Sequence, residues 1–167
     1  MRTLTYISLV LTCLNSMFLC FETKAQSSAK IKADTLKYCL TPQTVGIGTY
    51  DPISYFEHSA PLKGKKEIFS TFDGVTYWFV NSSNKKKFDA NPPAYLPQFG
   101  GWCSMTLAMG RATVPKYDNF LVSNGKLYLF ERTLSVNGKE LWIKDVQGNE
   151  KIALKNYLEY KNSGKIN

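Results

Sequence analysis

Ile68-Phe69-Ser70-Thr71-Phe72-Asp73-Gly74-Val75-Thr76-Tyr77-Trp78-Phe79-Val80 is the stretch that decides the fold class. Two runs rich in aromatic and β-branched residues flank Asp-Gly, a dipeptide that accepts the positive φ angles of a tight hairpin turn. Val75, Tyr77 and Phe79 alternate onto one face of the second run. A second hairpin is written the same way: Phe120 to Ser123, then Asn124-Gly125, then Lys126 to Phe130. There Leu127 and Leu129 share one face and Tyr128 and Phe130 the other, so apolar cover is expected on both sides, at least in part.

Helical pieces lie between and after the hairpins. One is expected from about Ser83 to Ala90, capped by Ser82 or Ser83 and ended by Asn91-Pro92-Pro93, because proline lacks a donor and restrains the residue before it. A second runs from about Trp102 to Met109 with Gly110 as its stop. A third begins near Ser135, is weakened by Gly138 and contains Trp142. A last helix from about Asn149 to Lys161 places Ala153, Tyr157 and Tyr160 on one face. Short local strands followed by helices give an α+β fold: a small single domain with two short antiparallel β-hairpins, short intervening helices and a helical C-terminal tail.

The chain has 167 residues, enough for one ordinary domain. At 44% hydrophobic, 14% aromatic and 20% charged residues it is neither a disordered tail nor a collagen-like fibre or coiled coil. Most aromatics fall between Tyr50 and Phe130, which is where the core is expected. No internal repeat is visible. A single histidine, His58, excludes a multi-histidine metal centre, and as a lone residue it reads first as solvent-facing.

Arg2, the apolar stretch from Tyr6 to Phe21 and the small-residue site Thr23-Lys24-Ala25 have the order of a secretory signal. Cleavage after Ala25 would export the chain to the periplasm or the extracellular space, leaving Cys39 and Cys103 as its cysteines. No later segment is apolar and long enough to span a bilayer. The formal net charge of +8 falls by one when Arg2, Lys24 and Glu22 leave. The remaining basic groups, such as Lys63, Lys65, Lys66 and Lys85-Lys86-Lys87, read as a solvated face attracted to anionic envelope material, not as a nucleic-acid surface.

The densest unusual stretch runs from Asn91-Pro92-Pro93-Ala94-Tyr95 to Pro97-Gln98-Phe99-Gly100-Gly101-Trp102-Cys103. Two glycines allow close backbone approach or positive φ. A helix then starts with Cys103 in its first turn, where free N–H groups favour a thiolate. Three readings of Cys103 stand open. It forms a disulfide with Cys39, closing a loop whose chain-entropy contribution is about 4 kcal/mol. It binds a soft metal ion such as copper, with thioethers from Met105 and Met109 one turn apart and His58 as a further donor. Or it is a small buried apolar residue beside two gap-filling methionines. No phosphate loop, dinucleotide fingerprint, nucleophile elbow or Cys-x-x-Cys is present.

Taken together, several segments resemble the exported YHS-domain proteins. Tyr50-Asp51-Pro52-Ile53-Ser54-Tyr55-Phe56 is similar to their G-Y-D-P-V-[AS]-Y-F opening, and Thr71 to Phe79 to their Y-x-G-x-x-Y-x-F hairpin. Phe88-Asp89-Ala90-Asn91-Pro92 with Tyr95, Phe99-Gly100-Gly101-Trp102-Cys103, and Gly125-Lys126-Leu127-Tyr128-Leu129 resemble the elements that follow. The resemblance implies a YHS-like α+β domain over 45–130; with the residue readings above, the expected order is a signal peptide over 1–25, a flexible lead-in over 26–44, that domain, and a helical extension over 131–167. It also implies non-enzymatic binding of a metal ion or small ligand, for which Tyr95, Gly100, Gly101, Trp102 and Cys103 are the candidate residues. The alternative is an interaction module for an envelope protein, stapled by Cys39 and Cys103. Metal-associated members read D-P-V-C at the opening and F-C-S-x-x-C after the hairpin; here Ser54, Val80 and Asn84 stand at those cysteine positions.

Overall fold

A computed structural model describes residues 34–40 and 44–166. The expected signal segment and residues 26–33 of the lead-in lie outside the described residues. Among the described residues the elements run α1 (Ser54–Glu57), β1 (Lys65–Phe72), β2 (Val75–Phe79), α2 (Ser82–Ala90), α3 (Ser104–Ala108), β3 (Lys116–Ser123), β4 (Lys126–Phe130), α4 (Gly138–Trp142) and α5 (Val146–Ser163). Short 3-10 turns at Ile47–Thr49, Pro92–Ala94 and Gln98–Gly101 link them. This is the α+β arrangement expected: β1 pairs antiparallel with β2 and β3 with β4, as two separate two-stranded sheets. Among the described residues no helix is long and apolar enough to cross a membrane.

Both hairpin turns fall on the predicted dipeptides, with Asp73, Gly74, Asn124 and Gly125 all at positive φ. The first strands begin earlier than expected, at Lys65 and Lys116 instead of Ile68 and Phe120. A register shift between Lys65 and Phe69, and another between Lys116 and Phe120, breaks the alternation that would have revealed them. Three helix starts also move. The α2 cap is Asn81, whose side chain accepts from Asn84 N at 2.8 Å. Cys103 caps α3 from outside it, and Gly138 opens α4 behind the Asn137 cap instead of weakening a longer helix. A Cβ at Gly138 would lie 3.0 Å from the Glu131 carbonyl oxygen, so a glycine fits this tight start. The last helix extends to Val146–Ser163 between the Asp145 cap and Gly164 at φ 73°.

The two hairpins belong to an internal duplication that the sequence reading missed. Ile47-Gly48-Thr49 and Phe99-Gly100-Gly101 each place three successive residues at positive φ. Tyr50 N donates to Ile47 O, and Trp102 N to Phe99 O. A short helix, a loop and a bulged hairpin of identical strand lengths follow each turn. Asp51 N donates to Leu62 O where Cys103 N donates to Thr113 O. The Ser54 hydroxyl donates to Asp51 O, and the Thr106 hydroxyl to Cys103 O. In sequence the halves share little beyond a Gly-x-aromatic turn and the pattern [Asp/Asn]-Gly-x-x-Tyr-x-Phe. Backbone hydrogen bonding can repeat with few side chains in common, so no repeat shows in the letters.

β4 divides two cores. Leu127 and Leu129 join Ile53, Tyr55, Val75, Tyr77, Phe79 and Phe88 on one side. Tyr128 and Phe130 join Phe99, Leu107, Trp142 and Ala153 on the other. The tail beyond residue 130 therefore supplies one whole side of the second core. Packing also begins ahead of residue 45, since Tyr38 and Cys39 are buried.

Candidate functional site

The residues predicted around Cys103 separate into two places. Gly100, Gly101 and Trp102 hold the segment Asp34–Leu40. Gly100 O accepts from Cys39 N at 3.0 Å, and the Trp102 indole N–H donates to Leu36 O at 3.1 Å. A Cβ at Gly100 would overlap the Lys37 carbonyl oxygen. The glycine-rich turn is thus occupied by backbone of the same chain. Trp102 meets Tyr160 edge-on at 5.3 Å, and Tyr95 meets Phe56 edge-on at 5.6 Å. His58 is exposed and ends α1, with its N–H on Ser54 O.

Cys103 lies at the other place, 0% exposed. Its sulfur accepts from Glu131 N at 3.1 Å and from Thr106 N at 3.5 Å. Cys39 is free and buried as well, with its sulfur 3.9 Å from the Tyr117 hydroxyl. The expected Cys39–Cys103 staple is not formed in this structure. Burial pushes the Cys39 thiol up to about 11, only partly offset by the Tyr117 hydroxyl. The thiolate fraction of Cys39 is therefore very small at neutral pH and rises only towards pH 11.

Above Cys103 opens a cleft of about 390 Å³ between α3, the loop that follows it, Glu131 and α4. Met105, Met109, Val136 and Leu141 form its apolar walls. Thr106, Thr113, Glu131 and Arg111 provide the polar groups. The Thr113 hydroxyl lies 2.8 Å from that of Thr106 and donates to Glu131 Oε2 at 2.9 Å. Met105 and Met109 both line the cleft, with Met109 53% exposed at the rim. Thr113, Glu131 and Leu141 were not foreseen, since they come from the loop before β3, the residue after β4 and α4, and carry no shared motif.

The duplication explains why this cleft is open. In the first half the position of Cys103 is held by Asp51, also 0% exposed. Its carboxylate accepts from Ile53 N, Val80 N and Asn84 Nδ2, each at 2.8 Å. α2 starts at Ser82, directly after β2, and delivers Asn84 onto Asp51. α4 starts only at Gly138, well after β4 ends at Phe130, so the intervening loop stands off and leaves a space.

Neither half offers a good metal site. Ser54, Val80 and Asn84, at the positions where metal-associated YHS proteins carry cysteines, do converge. They meet at Asp51: the Ser54 hydroxyl donates to its backbone carbonyl, while Val80 N and Asn84 Nδ2, with Ile53 N, donate to its carboxylate. In the second half the Cys103 sulfur already accepts two N–H groups, and it lies beneath the cleft without lining it. Among the described residues no three His, Cys, Asp or Glu side chains are grouped to hold a metal ion.

No family model, no curated protein and no solved structure matches this chain.

Proposed function

We propose that the chain is an exported YHS-like module that binds a small organic ligand in the cleft above Cys103, without catalysing turnover. The observation that carries this reading is the cleft itself: the same backbone arrangement is closed by Asn84 in the first half and left open in the second. Its mostly apolar walls with a few convergent polar groups are typical of ligand sites. A soft metal such as copper is the less favoured ligand, because the Cys103 sulfur is already engaged and His58 does not line the cleft. The test uses the exposed rim. Met109→Trp should fill the mouth of the cleft, leave the unfolding midpoint nearly unchanged and weaken binding of n-hexanol, followed by amide shifts at Thr106, Thr113 and Gly138. Shifts spread over the surface, or unchanged in Met109→Trp, would refute the reading.

The alternative, an interaction module stapled by a disulfide, is separated by thiol chemistry. In protein cleaved after Ala25 and isolated without reductant, alkylation at neutral pH should fail on the native state and label both Cys39 and Cys103 after denaturation. Burial of both sulfurs supports that expectation. No labelling after denaturation would establish the staple and favour an envelope partner.

A further inference from the structure

We infer that the ligand of this cleft carries a primary ammonium group, bound by the Glu131 carboxylate with the Thr113 and Thr106 hydroxyls beside it. The inference rests on the cleft reading above and names the chemistry of its occupant.

Glu131 stands at the position that Val80 holds in the first half. In both halves the structural task there belongs to the backbone: Val80 N donates to Asp51, and Glu131 N to the Cys103 sulfur. The side chain is therefore not required to be acidic, and in the first half it is a valine. The carboxylate is partly buried, shares the cleft with methionine, valine and leucine side chains, and accepts from the Thr113 hydroxyl. None of the ion pairs among the described residues involves Glu131. Its Oε2 is held in place by the Thr113 hydroxyl. What the site lacks is a compact cation with several donors.

A primary ammonium meets that need with three N–H groups for a carboxylate oxygen and neighbouring hydroxyl oxygens. A quaternary ammonium is a poorer match, because no aromatic ring lines the cleft to form a cage. The apolar remainder of the ligand would lie along Met105, Met109 and Leu141. A volume of about 390 Å³ equals roughly a dozen waters at their liquid volume, ample for an amine with a short hydrocarbon chain. Arg111, which also lines the cleft, is exposed at its edge and would favour an anion instead. The two groups make opposite predictions about ligand charge.

The experiment titrates the full exported chain with n-hexylamine, n-hexanol and hexanoate at neutral pH, following the same amide signals. Hexylamine should bind about tenfold or more tightly than hexanol, and hexanoate most weakly. Glu131→Gln should bring hexylamine down to the hexanol level, removing the preference for the amine. Hexanoate binding best, with that preference lost in Arg111→Ala, overturns the inference while sparing the cleft. Equal affinity for hexylamine and hexanol overturns it too. Failure of all three probes to shift the cleft amides sinks the cleft reading itself. The selectivity of the unmutated protein decides the question even if Glu131→Gln folds poorly.

Discussion

Asp51→Ala is expected to destabilise the protein by about 3–5 kcal/mol, a large share of the total stability of a domain this size. The carboxylate is sealed from solvent and accepts from Ile53 N, Val80 N and Asn84 Nδ2. Its removal leaves two buried donors and one part-buried donor without an acceptor, at about 1–3 kcal/mol for each buried one before relaxation. These donors tie the start of α1, the end of β2 and the first turn of α2 to one point, so the loss should spread through the first half. Asp51→Asn keeps one oxygen for the two donors on Oδ2 but turns an amide N–H towards Ile53 N, and should fall between the two. Urea unfolding of the three proteins checks the order. A loss below about 1 kcal/mol for Asp51→Ala would mean that water replaces the carboxylate without cost.

Gly100→Ala should cost about 2–5 kcal/mol and release the Asp34–Leu40 segment. Two effects add. The residue sits at φ 63°, where an L side chain is strained by about 1–2 kcal/mol. The new Cβ would also overlap the Lys37 carbonyl oxygen, and would lie 2.9 Å from its carbon. Backbone cannot yield as a side-chain tip can, and overpacking of this kind typically costs about 1–3 kcal/mol. The segment has three ties at this point: Cys39 N to Gly100 O, the Trp102 indole to Leu36 O and the Tyr157 hydroxyl to Lys37 O. Hydrogen exchange at the Cys39 amide should lose its protection, with new proteolytic cleavage near Tyr38. Gly125→Ala is the control. It has a similar φ of 72° but nothing within 4 Å of the added Cβ, so only the backbone strain should register. Equal losses in the two variants would show that the close approach at Gly100 carries no energy.

Much of the fold was legible because its signals are local. Asp73-Gly74 and Asn124-Gly125 specify hairpin turns by backbone conformation alone, and both turns form there. The alternation in β4 correctly foretold cover on both faces, since Leu127 and Leu129 enter one core and Tyr128 and Phe130 the other. The candidate site was legible only in part. The Met105 and Met109 spacing put both on one turn of a helix, which did not by itself say that they line a cleft, and Gly100, Gly101 and Trp102 proved to bind the chain's own residues 34–40. A glycine pair announces that something comes close; it does not say whether that is a ligand or a carbonyl of the same chain.

By itself the sequence determined the α+β class, the two hairpins with their turns, the helix-breaking prolines and the position of Cys103 at a helix start. Each of these depends on the conformational preferences of residues a few positions apart. The tertiary structure decided what those elements do together. It revealed the duplication, made Asp51 the closed counterpart of Cys103, and brought Glu131 and Leu141 to one cleft from beyond β4. The physical reason is that a donor is satisfied by whichever acceptor the packed chain brings within reach, and a cavity exists where a loop stands off from its neighbour. Both depend on residues far apart in sequence, and no spacing of letters along the chain records them.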